Sequence, residues 1–529
     1  MNTKADSDYD VAVVGLGPVG CLGALLFAAA GLRVVAFEKE QDVYTLPRAV
    51  NLDGEIIRAL QPLQLANAVA AMMQPIRPGE RAGFANSKRE WLFGGSAKPL
   101  GSNGWQPTNM FDQPELETFL RTQVQQNENV TSYIGYDVSG FEQQADQVTL
   151  HASEAHIAIS VAASYLVACD GANSPIRKAL GIHWKDLGYD QDWLVVDVVM
   201  QTPHTLSNEV LQICDPERIH TYVATKDPFR RWEFQLNPGE TAEHMLQQQT
   251  IQTLLDSWVS RDTYTIRRAA VYQFHAAVAE SWRHERVFLA GDAAHQTPPF
   301  LGQGMNSGMR DVINLAWKLP LVIEGACSTS LLNTYQEERN GHAHDLVSWA
   351  VDMGHLMAHL AAKEAAVGIG APSPIGQKSS QASGYGQGRE QPPIRSGAVL
   401  QEQLSNDGLT GYLLSQPVVK TSDGEALRLD YLLGSGFALM SHKTPSLNAS
   451  SKKIIDDLGI RVVTTAALTP LEGKFPEMLA GHQALLVRPD KVVFGHTTES
   501  MPVDLLLSQL KAAIALNPVK ADSRKSEAI

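Results

Sequence analysis

Cysteine is scarce in this chain, with 4 in 529 residues, at Cys21, Cys169, Cys214 and Cys327. No two stand at C-x-x-C or metal-ligand spacing. That argues against a disulfide framework or a zinc module and fits free thiols in a reducing cytoplasm. Positive charge is in deficit: 43 Lys and Arg against 57 Asp and Glu leave a net charge of −14. Neither nucleic acid nor an anionic membrane rewards that balance. Long unbroken apolar runs are also missing. The most apolar stretch, Val11 to Phe37, is interrupted by Gly15, Gly17, Pro18, Gly20, Gly23, Gly31 and Arg33, and Asp6, Asp8 and Asp10 precede it. It reads neither as a spanning helix nor as a signal peptide. No internal repeat is present. What remains is globular composition with length for two to four domains, at about 150 residues each.

The glycines of that apolar stretch have a pattern. Tyr9–Val14 is a short β-branched run that reads as a buried strand. Gly15-Leu16-Gly17-Pro18-Val19-Gly20 follows, then an Ala/Leu-rich helix ended by Gly31, then a second strand to Glu38. A lone G-x-G-x-x-G is weak evidence, but here strand, helix, strand and terminal acid stand in order, as a dinucleotide-binding βαβ unit requires. Gly15 permits a tight turn. Gly17 lets a pyrophosphate approach the backbone, and Gly20 lets helix and strand pack closely. The helix N-terminus offers N–H groups to phosphate. Glu38, with Lys39 beside it, stands where a carboxylate can accept from ribose hydroxyls. The unit alone does not distinguish FAD from NAD.

Two later segments decide for flavin. Tyr165–Ala168 leads into Cys169-Asp170-Gly171, and Arg286–Ala290 leads into Gly291-Asp292-Ala293-Ala294-His295. The second continues through Pro298-Pro299-Phe300-Leu301-Gly302-Gln303-Gly304-Met305-Asn306 into a helix. With these motifs in this order, the chain resembles the FAD-dependent aromatic hydroxylases, the single-component flavoprotein monooxygenases, over residues from about 8 to 345. Pro47-Arg48-Ala49 and Gln113-Pro114-Glu115-Leu116-Glu117 add to the likeness. The subgroup it looks most like is the 3-(3-hydroxyphenyl)propionate hydroxylases and related phenol hydroxylases. Cys214–Arg218, Arg230–Phe234, Asn237–Glu240 and Thr334–Arg339 carry that part, with Arg428–Asp430, Leu433–Phe437 and Arg488–Asp490 near the C-terminus.

The resemblance implies FAD as resident cofactor, NADH or NADPH as transient reductant, and O2 delivered to a phenolic ring through a hydroperoxide at the flavin C4a carbon. It implies that Asp292 bonds the ribityl chain. Pro299 and the backbone through Gly302, Gly304, Met305 and Asn306 cradle the pyrophosphate and the flavin O2 edge, together with Gly17, Pro18, Val19 and Gly20. Arg48 and Gln113 hold the adenosine-to-pyrophosphate side, and Asp170 serves flavin and nicotinamide in turn. Pro298 forms a wall against the aromatic ring, and His295 is a structural part of its motif. Asp170 and Gln113 also read as helix-capping residues.

Such chemistry needs a dry pocket, a placed ring, an acceptor for the phenol proton and a partner for the substrate tail. Strand-like runs at Trp193–Met200, His220–Ala224, Arg231–Leu236 and Ala269–Ala276 point to a sheet over the flavin. His220 and Tyr222 share one strand face. They and His275 are candidate phenol partners, each with a plainer reading as a satisfied sheet residue. Arg231 is a candidate contact for a carboxylate or the nicotinamide. No metal site is read, since His342 and His344, two apart, do not share a helix face.

The expected architecture is α/β. A Rossmann-like FAD-binding domain (residues 1–185 and 286–360) is interleaved with a β-sheet substrate domain (186–285, with parts of 70–110). A Gly/Ser/Gln/Pro linker (361–395), a thioredoxin-like C-terminal domain (396–518) and a polar tail (519–529) follow. With no cysteine after Cys327, that domain lacks C-x-x-C and cannot exchange dithiols. It reads as a packing or dimerisation module, and a homodimer is expected. The same flavin chemistry on a heteroaromatic ring, a Baeyer–Villiger insertion or an epoxidation is the second reading. A flavin-binding interaction protein without turnover is the third.

Overall fold

The computed structural model describes residues 8–77, 79–96, 100–201, 204–367, 391–404, 408–476, 479 and 483–517. The central part of the expected linker, 368–390, and the tail lie outside the described residues. The first unit contains β1 (Tyr9–Val14), α1 (Pro18–Ala29), β2 (Val34–Glu38) and α2 (Gly54–Ala59). A hairpin of β3 (Arg81–Ala85) and β4 (Trp91–Ser96) follows, then α3 (Gln113–Gln126), β5 (Val130–Ile134) and β6 (Ile157–Ala168). The chain then builds β7 (Trp184–Met200), β8 (Val210–Ile213), β9 (His220–Val223), β10 (Phe229–Gln235) and β11 (Tyr264–Ala279). It returns with β12 (Val287–Leu289), β13 (His295–Gln296), α4 (Gly304–Ile323) and α5 (Asn333–Val367). The C-terminal unit has β14 (Ala438–Ser441), α6 (Ala449–Leu458), β15 (Arg461–Thr464), β16 (Ala484–Val487), β17 (Val493–His496) and α7 (Val503–Ala513).

Two eight-stranded sheets dominate. In the first, β12, β6, β1, β2 and β5 lie side by side and parallel, with Val14 opposite Ala168 and Ala168 opposite Leu289. The carboxyl ends of β1, β6 and β12 are therefore neighbours, and this is why three motifs far apart in sequence meet at one crevice. Helix α1 is buried along most of its length, with Gly20, Cys21, Gly23 and Ala24 among its inward residues. Those small side chains admit α4: a Cβ on Gly23 would stand 3.1 Å from Val312 Cγ1.

The second sheet runs β13-β11-β7-β10-β9-β8-β3-β4. Both of its faces are covered. One packs Leu194, Val196, Leu211, Ile213, Tyr222, Trp232 and Phe234 into a separate apolar core with Ile251 and Leu255 from a short helix. The other turns toward the crevice.

Helix α5 continues to Val367, so residues 361–367 are helical where a linker was expected. Ala361, Ala362, Lys363, Glu364, Ala365 and Ala366 are good helix formers, and the first glycine is Gly368. In the C-terminal unit, β15-β14-β16-β17 form a mixed four-stranded sheet. Among the described residues no helix is long and apolar enough to cross a membrane.

Candidate active site

A cavity of about 720 Å³ lies where the crevice of the parallel sheet meets the inner face of the second sheet. The glycine turn after β1 forms one end. Gly15 has a φ of +92°, and a Cβ there would sit 2.4 Å from Cys169 O. A Cβ on Gly20 would sit 1.8 Å from Gly15 O. Gly17 differs: a Cβ there meets nothing within 4 Å, because the residue opens onto the cavity. Pro18, Val19 and Gly20 line the same wall.

Glu38 braces this turn from the end of β2. Its Oε2 accepts from Leu16 N at 2.7 Å and its Oε1 from Glu40 N at 2.9 Å. Arg121 Nη2 lies 3.3 Å away, and Arg121 Nε donates to Leu16 O at 3.1 Å. Lys39 is exposed beside Glu40 and lies off the cavity.

Gln113, at the start of α3, accepts from Arg48 N at 3.0 Å and Ala49 N at 2.8 Å through one Oε1. The bond holds the Arg48 segment at the cavity, and both residues line it. After β12, the Gly291 φ of +63° turns the chain so that Asp292 opens onto the cavity. Asp292 is in contact with cavity space but ringed by protein. That burial pushes its carboxyl above the usual range, against the pull of His295 and Arg48. Asp170 is set back from the cavity: its Oδ2 accepts from Ile176 N at 3.2 Å, while Cys169, Gly171 and Ala172 form the wall. Burial raises its pKa, opposed by bonds from Ser174 and Ile176.

At the N-terminus of α4, Pro299, Gly302, Gly304 and Met305 line the cavity. Asn306 does not; its Oδ1 accepts from Asp53 N at 2.9 Å and its Nδ2 donates to Gly302 O at 2.9 Å, which fixes the loop. Pro298 is buried, and its neighbours Thr297, Pro299 and Phe300 line the cavity. His295 is clamped to Asp311 at 2.9 Å and stacked on Trp282, a structural position.

The second sheet's inner face shows two rows of paired residues. Gln212, Thr221, Glu233 and Val195 stand opposite one another across four strands, and Val210, Val223, Arg231, Asp197 and Arg268 across five. All but Asp197 line the cavity. His220 and Tyr222 have the other parity and point into the apolar core behind the sheet, so neither meets the cavity. His220 Nδ1 bonds Arg218 O at 2.8 Å, and burial lowers its pKa. The Tyr222 hydroxyl donates to Ser207 O at 2.7 Å, and burial pushes its pKa up to about 12.

Arg231 is buried and paired with Asp197 at 2.7 and 3.0 Å. Burial alone would lower its pKa, but the charges of Asp197 and Glu233 outweigh that and raise it. Arg268 Nη1 lies 3.4 Å from Asp197 and also bonds Pro47 O, and Arg268 Nη2 bonds the Tyr272 hydroxyl. Among the described residues Glu233 has one ion pair, with Arg231 Nη1 at 3.8 Å, and burial pushes its carboxyl above the usual range, opposed by Arg231. At the rim, half-exposed His275 is bonded through Nδ1 to Asp190. Sequence reading missed Thr221, Glu233, Gln212 and Arg268. The signal within reach was Arg231 itself, since any partner of Arg231 on that strand must be Glu233, two residues on.

The residues present suit a dinucleotide diphosphate. The N-termini of α1 and α4 both open on the cavity, neither first turn carries an acid, and Gly17 and Gly304 leave open the space a Cβ would fill.

Comparison with known proteins agrees. Residues 8–350 match the family model described as an FAD binding domain, and residues 411–513 match the one described as the HcaD C-terminal domain. The chain is 30% identical to the 3-(3-hydroxy-phenyl)propionate/3-hydroxycinnamic acid hydroxylase of Escherichia coli K12, over 99% of this chain and 98% of that one. Aklavinone-11 hydroxylase, solved with FAD and aklavinone, superposes with a TM-score of 0.78 at 25% identity, covering 97% of this chain and 100% of that one. The flavin-dependent monooxygenase PieE shares the fold, with a TM-score of 0.75 at 19% identity over 96% of this chain and 99% of that one. With an FAD-domain match spanning well over half its length and a full-length hydroxylase relative, the chain belongs to the FAD-dependent aromatic hydroxylases, flavoprotein monooxygenases whose cofactor is FAD.

Proposed function

We propose that the protein hydroxylates a phenolic ring bearing an acidic side chain, of the 3-(3-hydroxyphenyl)propionate type, with NADH or NADPH as reductant. Bound FAD supplies the chemistry that divides O2 between water and an aromatic carbon. The chain's residues do the rest. The backbone at Gly17–Gly20 and Gly302–Met305 holds the diphosphate, Asp292 accepts from ribityl hydroxyls, and Arg48 adds positive charge at the same end. His275, with Nδ1 committed to Asp190, keeps Nε2 available to accept the phenolic proton, and ionising the phenol makes its ortho and para carbons more nucleophilic. Val195, Val210, Val223, Phe274 and Phe300 give the ring an apolar, water-poor wall.

The observation that carries the reading is the charge on the sheet face. Two guanidiniums, Arg231 and Arg268, line the cavity and share one close carboxylate, Asp197, with Glu233 3.8 Å from Arg231. Guanidiniums set in a cavity wall beside apolar side chains suit a substrate carboxylate. The C-terminal unit supports a thioredoxin-like reading through its strand order and senses: one parallel pair joined by α6, then two antiparallel neighbours and α7. The test is a panel of phenols with and without an acidic tail, with each reduced nicotinamide, followed by oxygen uptake, peroxide release and product mass. Coenzyme oxidation stimulated by the acidic phenols with matching hydroxylated product supports the proposal. Equal response to neutral and acidic phenols overturns the tail assignment, and flavin without aromatic-stimulated turnover overturns the hydroxylase reading.

A further inference from the structure

One cavity wall, the segment from Leu100 to Trp105, is held by little of its own. Its internal bonds are a turn closed by Gly101 N to Trp105 O at 3.0 Å and Gly104 N to Gly101 O at 3.1 Å. Leu100, Gly101, Ser102, Asn103 and Trp105 all line the cavity. The outer side of this segment is gripped by the C-terminal unit, more than 300 residues later in sequence. Gln416, buried to 2% exposure, donates from its backbone N to Ser102 O at 2.7 Å and from Nε2 to Asn103 O at 2.6 Å. The Gln416 amide also exchanges bonds with Gln61, whose Oε1 accepts from Trp105 Nε1 at 2.6 Å. Arg428 donates to Gly104 O at 3.1 Å, and its guanidinium lies 3.9 Å from the centre of the Trp105 ring. Asp430 pairs with buried Arg58 through two bonds of 2.7 Å, and Arg58 reaches Asn103 Oδ1 at 3.2 Å. The fit is close from the other side too: a Cβ on Gly104, at φ +71°, would come within 2.9 Å of Gln416 O.

We propose that Gln416 and Arg428 are positioning residues of the substrate cavity: the C-terminal unit sets the shape of the Leu100–Trp105 wall, and with it which aromatic fits and how well water is kept out. Neither residue touches the cavity, so each acts through the loop. The loop-holding claim stands on the contacts alone, and its kinetic consequence rests on the hydroxylase function proposed above.

The test compares the full-length FAD-loaded protein with Gln416→Ala, Arg428→Met and the double variant. Tyr431→Ser, an exposed change in the same unit, serves as control. Hydrogen exchange of peptides covering 100–105 accelerates by about tenfold or more in the double variant while β1 keeps its protection, since only the local opening unit has lost bonds. The KM for the aromatic rises and a larger share of reducing equivalents leaves as peroxide, with FAD content unchanged. Arg428→Lys, which keeps a donor toward Gly104 O, recovers part of both effects. Loop exchange that stays at the wild-type rate, or that rises equally in β1, overturns the proposal. Should buried Gln416→Ala fail to fold, half-buried Arg428→Met decides by the same two readouts. A wild-type protein that oxidises neither coenzyme with any phenol refutes the hydroxylase reading, while the exchange comparison still decides the loop claim.

Discussion

Replacing Gly17 by alanine separates the two uses a glycine turn can have. Gly17 has φ −67° and ψ −177°, an extended conformation open to any residue, and it is the N-cap of α1. A Cβ there meets no protein atom within 4 Å. Alanine is a poorer N-cap than glycine by about 0.5–1 kcal/mol. It also removes unfolded-chain entropy worth about 0.4–1 kcal/mol in the opposite direction. The two offset, so the FAD-free protein should keep its unfolding midpoint. The methyl group, however, stands in the space over the α1 N-terminus and holds a phosphate oxygen off those N–H groups. One charge-assisted bond is worth about 1.5–3 kcal/mol, which corresponds to a loss of FAD affinity of roughly 10- to 150-fold. The assay is FAD titration of stripped protein by flavin fluorescence, beside thermal unfolding with and without FAD. Gly20→Ala is the contrast: its Cβ would overlap Gly15 O at 1.8 Å, so the unfolding midpoint falls even without FAD. Wild-type FAD affinity in Gly17→Ala, or a midpoint drop matching that of Gly20→Ala, would refute this reasoning.

Further outcomes can be checked separately. Glu233→Gln should leave the protein as stable or more stable at pH 8, because a carboxyl whose folded pKa is raised weakens the fold as pH climbs through that value. The same variant should flatten the rise of KM for an acidic phenol with pH, read from initial rates, since ionised Glu233 cancels arginine charge. Glu338 is buried, yet Arg488 and Lys318 outweigh its desolvation and hold its carboxyl down at about 2. Its contribution is present above the ordinary carboxylate pKa and is lost as pH falls toward 2. Glu338→Gln should therefore cost about 3–5 kcal/mol at pH 7 and less in acid, measured by urea unfolding across pH. Tyr222→Phe should cost about 1 kcal/mol of stability through the lost Ser207 bond and leave the KM unchanged, whereas Thr221→Val should change the KM.

The crevice was legible in the sequence because its physics is local. Gly15 and Gly20 answer to backbone contacts within one βαβ unit, and adjacent parallel strands bring Gly15, Cys169 and Asp292 to the same edge. The sheet face was not legible. Alternation places His220 and Tyr222 on one side, but both sides are buried, one by an apolar core and one by the cavity, so period two gives no direction. Glu38 also braces the glycine turn through backbone N–H groups, and the Asn306 side chain ties the 302–306 loop to Asn51 and Asp53, uses that motif spacing does not reveal. The grip of Gln416 and Arg428 on the 100–105 segment joins residues more than 300 apart, and no local pattern announces it.

The most direct test of the account is turnover under isotopically labelled dioxygen. The FAD-loaded protein is supplied with a phenol bearing a propionate tail and reduced nicotinamide, and the product is weighed. The account predicts a ring hydroxyl carrying one oxygen atom from the labelled gas. Product with unlabelled oxygen, or labelled peroxide with the phenol untouched, would contradict it.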